Sequence, residues 1–116
     1  KGIIFSAGKI SYFLPMFGTF NVSNALAALL VLGVFQEKKS DLPVVLASFS
    51  GVPGRMERLD LGQDFQIFLD FAVTPFAFRE MLTSAKTLGK RLITVFGHCG
   101  SHPDSVVRHE LGKIAA

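Results

Sequence analysis

The stretch "FLDFAVTP", residues 68–75, decides how this chain is to be read. An apolar run ends in a carboxylate, Asp70, and Thr74-Pro75 follow four residues later. Proline suits the first turn of a helix, where its missing N–H costs nothing, and the threonine before it can cap that turn. The pattern is a strand running into a turn that opens a helix. Working outward, "FQIFLDF" (65–71) is predicted as a strand and "TPFAFREMLTSAKTLG" (74–89) as a helix capped by Thr74 and closed by Gly89. "RLITVFG" (91–97) is predicted as a second strand. Phe76, Phe78, Met81, Leu82 and Ala85 recur at three- and four-residue spacing, the period of an amphipathic helix. Strand, crossover helix and strand predict a right-handed βαβ unit. "HPDSVVRHELGKIAA" (102–116) begins a further helix.

Upstream, "GIIFSAGKISYFLP" (2–15) predicts two short strands about Ala7-Gly8-Lys9, with "MFGTF" as a loop after them. "NVSNALAALLVLGVFQ" (21–36) is a continuous Ala/Leu run, predicted as a helix buried on most sides with Asn21 as its N-cap. A polar break follows, then a short helix over "LPVVLASF" (42–49), with Asp41 as cap and Pro43 in its first turn. "SGVPGRMERLDLGQD" (50–64) holds three glycines and a proline and is the best candidate boundary between two parts of the chain.

Composition narrows the function. The 116 residues amount to about one domain. Twelve phenylalanines within a 49% hydrophobic chain are ample material for a core. A net charge of +3 with no long basic run argues against a nucleic-acid partner. The longest apolar run, Ala25 to Phe35, falls short of the roughly 20 residues a bilayer span needs. A single cysteine, Cys99, excludes an internal disulfide and suits a reducing cytoplasm. Lys1 in place of Met suggests a piece of something longer.

The chemistry rests on few side chains. In a βαβ unit, ligands sit beyond the carboxyl ends of the strands, where Asp70 is expected. An aspartate so placed can accept from two ribose hydroxyls, and a following helix start favours phosphate; a solvated strand-end residue beside a plain cap is the simpler account. Asn21 and Asn24, three apart, share one face at a helix start, and an amide there can donate and accept at once, as an adenine edge requires. Arg55 in "PGRME" suits a phosphate or an acidic partner. No G-x-x-x-x-G-K-[ST] motif occurs, so these residues alone should not hydrolyse ATP. His98, Cys99, His102 and His109 raise zinc as a further possibility, without the paired spacing of a structural site. Ser101, His102 and Asp104 are too close in sequence for a catalytic triad.

Taken in order, these segments resemble the Mur ligases, the ATP-dependent amide-bond enzymes of peptidoglycan synthesis. "GTFNVSNALAALLVLG" is similar to the family's asparagine helix at the end of the central ATPase domain, and "SFSGVPGRMERLD" to the crossing into the C-terminal domain. "IFLDFAVTPFAF" resembles the D-Y-A-H-T-P segment of the MurE type, which adds the third residue to UDP-MurNAc-L-Ala-D-Glu. The implied fold class is α/β: residues 1–53 close the central ATPase domain, and residues 54–116 open a Rossmann-like C-terminal domain with its first βαβ unit. The resemblance implies a cytoplasmic ligase that uses ATP and Mg²⁺, takes a UDP-MurNAc-peptide and adds diaminopimelate or lysine. It places Asn21 and Asn24 near the adenine, Asp70 on the ribose and Arg55 on the nucleotide. Thr74, Asp104 and Arg108 fall beside the nucleotide, and the Mg²⁺ ligands lie outside this segment. The chain departs from the family pattern at Phe71, Val73, Pro103 and Val107, where tyrosine, histidine, arginine and lysine are usual. Those losses keep a second reading open, a non-catalytic binding or scaffolding module on the same fold.

Overall fold

In the computed structural model the described residues are 2–35, 40–97 and 105–116. They form two compact units, Lys1–Leu69 and Asp70–Ala116.

The first unit begins with the predicted hairpin. β1 (Ile3–Ala7) and β2 (Ile10–Leu14) pair antiparallel with Ile3 opposite Leu14 and Phe5 opposite Tyr12. Gly8 opens the two-residue turn at φ +63°, a left-handed conformation that glycine adopts without steric cost. Strict alternation sends Phe5, Tyr12 and Leu14 to one face, where the Phe5 and Tyr12 rings stack at 5.4 Å. Leu14, Met16 and Ala25 form the core there, with Phe5 and Leu46 packed against it. Full burial of a side chain such as Leu14 contributes about 1.5–3 kcal/mol, so this small cluster is the main tie between hairpin and helices.

α1 (Phe20–Val34) and α2 (Leu42–Ala47) supply the other side of that core. Two expectations for α1 are corrected. Its N-cap position is Thr19, whose side chain makes no capping bond, and Asn21 is already inside the helix. Gly18, at φ +86°, turns the chain early: its carbonyl accepts the Asn21 N–H and that of Thr19 accepts the Val22 N–H, each at 3.0 Å. Nor is α1 buried on most sides. Only Asn21 and Ala25 are buried, whereas Leu30, Val31 and Val34 are exposed, because the hairpin and α2 cover only one stripe. In α2, Asp41 holds the N-cap position but makes no cap bond, accepting instead the Ser40 hydroxyl at 2.8 Å; Pro43 lies in the first turn.

The expected strand at 65–71 forms as β4 (Ile67–Leu69), in a different pairing. It runs antiparallel to β3 (Glu57–Leu59), with Glu57 opposite Leu69 and Leu59 opposite Ile67. The Gln63 side chain closes the connecting loop, donating to the Leu59 carbonyl at 2.9 Å and accepting the Leu61 N–H at 2.8 Å. Residues 91–97 form no strand, so the βαβ unit is not realised among the described residues. A parallel strand is stable only with paired neighbours and both faces covered. Here Ile93 and Val95 are exposed, while Phe96 tilts against Phe78 at 4.9 Å.

The second unit is a helix pair. α3 (Pro75–Lys86) begins as predicted but ends before Gly89, where Thr87 and Leu88 turn back onto the Ser84 and Ala85 carbonyls. Phe78, Leu82 and Ala85 are buried and Phe76 is exposed. α4 (Ser105–Ala115) brings Leu111 onto Phe78 and Leu82, with Ala72, Met81, Val107 and Ile114 closing the cluster. No helix among the described residues is long and apolar enough to cross a membrane.

Candidate functional site

Each unit carries its own share of the singled-out residues. In the first, Asn21 is 3% exposed, the sole buried polar residue among those described. Its Nδ2 donates to the Phe17 carbonyl at 2.6 Å, and its Oδ1 accepts from Nδ2 of Asn24 at 3.0 Å. A buried amide must have partners or cost its desolvation, and here both ends are occupied. Asn24, one turn on, is exposed. The two residues therefore do different work: Asn21 fixes the loop to the helix, and the exposed Asn24 has its amide oriented by its bond to Asn21.

Phe17 is a participant the sequence did not single out. Besides accepting from Asn21, its ring meets Phe68 edge-on at 5.0 Å and lines a groove of about 310 Å³ with Pro15, Arg55 and Arg58. Its position four residues before Asn21, in a loop otherwise poor in signals, is the only sequence trace of this role. Arg55 sits at that groove in a tight turn: its N–H donates to the Val52 carbonyl at 3.0 Å, with Pro53 and Gly54 (φ +69°) at the two central positions. Proline followed by a residue of positive φ is a type II turn. Met56 is next, left-handed at φ +48° and only 3% exposed. Arg58 pairs with Asp60 at 3.4 Å in solvent, an interaction of little stabilising weight.

In the second unit, Asp70 directly follows β4 and is half-buried. Thr74 caps α3 as predicted: Oγ1 accepts the Ala77 N–H at 3.2 Å, and Pro75 fills the first helical position. Arg108 is on the exposed side of α4, whereas the adjacent Val107 faces the α3–α4 core. That packing gives Val107 a structural use at the position where the family pattern has a lysine. Asp104, Pro103, His98, Cys99 and His102 lie outside the described residues; His109 is exposed on α4.

In the first unit Asn24 is exposed beside buried Asn21 and Arg55 stands at the groove; in the second, Asp70 and the Thr74 cap of α3 lie four residues apart. Among the described residues no three His, Cys, Asp or Glu side chains gather where they would hold Mg²⁺.

No family model matches the chain. The UDP-N-acetylmuramoyl-L-alanyl-D-glutamate--2,6-diaminopimelate ligase of Prochlorococcus marinus is 38% identical over 114 residues, 92% of this chain and 22% of that protein. The enzyme of the same name from Syntrophomonas wolfei is 42% identical over 106 residues, 89% of this chain and 21% of that one. This chain matches the MurE ligases over most of its length. A solved structure of a ligase with that name superposes at a TM-score of 0.51 with 27% identity, covering 93% of the MurE-like chain and 22% of its own. The MurE-like chain thus spans about a fifth of the length of the curated relatives it matches. Its α/β fold is consistent with a Mur-ligase-like domain.

Proposed function

We propose that this chain is part of an ATP-dependent ligase that adds diaminopimelate or lysine to UDP-MurNAc-L-Ala-D-Glu in the cytoplasmic stage of peptidoglycan synthesis. Residues 1–53 close its central ATPase domain and residues 54–116 open its C-terminal domain. The observation carrying this proposal is the match to the diaminopimelate ligases along nearly the whole chain. The oriented Asn21–Asn24 amide pair agrees with it independently.

ATP and Mg²⁺, when bound, would activate the substrate carboxylate for attack by the incoming amine. This chain's residues would hold the nucleotide. Asn24 meets the adenine edge, kept in orientation by Asn21. Asp70 accepts from the ribose hydroxyls, and Arg55 meets an anionic part of the nucleotide. Thr74, Asp104 and Arg108 belong beside it. The cradle for the phosphates, a G-x-x-x-x-G-K-[ST] loop, must come from elsewhere in the protein.

The test is ADP release by the full-length protein given ATP, Mg²⁺, UDP-MurNAc-L-Ala-D-Glu and either amino acid. Release that depends on one amine establishes both the reaction and the residue added. ATP binding without amine-dependent release would favour the non-catalytic module, which the apolar packing of Val107 in place of a cation supports.

A further inference from the structure

We propose that Glu57 is a positioning residue that holds Arg55 at the groove beside Phe17. The proposal rests on the nucleotide role given to Arg55 above. Glu57 Oε2 accepts the Gly54 N–H at 2.7 Å, tying the two ends of the Gly54–Glu57 segment together across Arg55 and Met56. Contacts of this length to a carboxylate are charge-assisted and stronger than neutral ones.

The tie acts on a backbone that needs one. Gly54 at φ +69° and Met56 at φ +48° place left-handed residues on both sides of Arg55. Gly54 tolerates that conformation, but Met56 does not reach it without cost. The constraints that hold it there include the Glu57 carboxylate on Gly54, the Val52 carbonyl on the Arg55 N–H, and the burial of the Met56 side chain. Of these, only Glu57 is a polar side chain. Arg55, an exposed residue at the groove, therefore sits on a main chain pinned before and after it. A cation held in advance loses less freedom on meeting an anion, which is how preorganisation raises affinity. Glu57 and Arg58 line the same groove as Arg55, and Arg58 is paired with Asp60 at 3.4 Å.

The experiment is steady-state kinetics of the full-length ligase with Arg55→Ala, Glu57→Ala, Glu57→Gln and the double alanine variant. Arg55→Ala and Glu57→Ala should each raise the KM for ATP about tenfold or more while kcat changes little. The double variant should be no worse than Arg55→Ala, because residues acting as one unit are not additive. Glu57→Gln keeps a carbonyl acceptor and should recover most of the loss. If Glu57→Ala does not fold, Glu57→Asp replaces it: one methylene shorter, it should still raise KM. An unchanged KM in Glu57→Ala or Glu57→Asp, with Arg55→Ala impaired, overturns the proposal and leaves the nucleotide role standing. Multiplying effects in the double variant overturn it too. An unchanged KM in Arg55→Ala removes the nucleotide role itself.

Discussion

Asn24 gives an N–H of its side chain to Oδ1 of Asn21 at 3.0 Å, and the receiving residue is the buried member of the pair. The same two residue types, one turn apart, thus hold opposite environments. Replacing Asn21 by Ala strips the Phe17 carbonyl of its partner and should cost about 1–3 kcal/mol. Asn24→Ala takes the donor from the buried Oδ1 of Asn21 and should cost less, about 1 kcal/mol, because Asn24 itself is exposed and water can approach in its place. Urea unfolding of the two variants checks this; equal losses would mean that the pair shares one structural role.

Met56 sets backbone strain against burial. Met56→Gly relieves a left-handed residue, a gain of about 1–2 kcal/mol. It also deletes a side chain only 3% exposed, and large-to-small changes at such sites cost about 2–5 kcal/mol. Burial wins, and the variant should be destabilised. Met56→Leu conserves volume and should lose less than about 1.5 kcal/mol. A rise in thermal midpoint for Met56→Gly would show that strain dominates.

Thr74 makes one capping bond, to the Ala77 N–H. Thr74→Ala should cost about 1 kcal/mol and Thr74→Ser almost nothing, since serine retains the accepting oxygen. Helix content and denaturation midpoints of the two variants are the readout.

Asp70 separates function from folding most directly. If it serves the ribose, Asp70→Ala in the full-length protein raises the KM for ATP by about tenfold or more. Its melting temperature should shift by far less than that of Asn21→Ala. Large and equal losses in both measurements would make Asp70 a structural residue.

Much of the local structure was legible in the residues themselves. The hairpin follows from alternation on both sides of Gly8, and the start of α3 from Thr74-Pro75. Both signals act within a few residues, through one glycine's freedom and one hydroxyl's reach. The amide pair was also visible as a spacing. Its division of labour was not, because nothing in "NVSN" says that Gly18 and Phe17 start the helix early enough to carry Asn21 inside.

Strand pairing marks the limit. By itself the sequence determined that an extended segment lies within 65–71 and a helix within 74–89, realised as 67–69 and 75–86, with an acid near the turn between them. Only the tertiary structure decided the partner of β4, which is β3 across a short loop rather than residues 91–97 beyond a whole helix. The physical reason is that a strand's hydrogen-bonding edges accept any neighbour of suitable register. The nearer segment closes the smaller loop at lower entropic cost, and no local pattern records that competition.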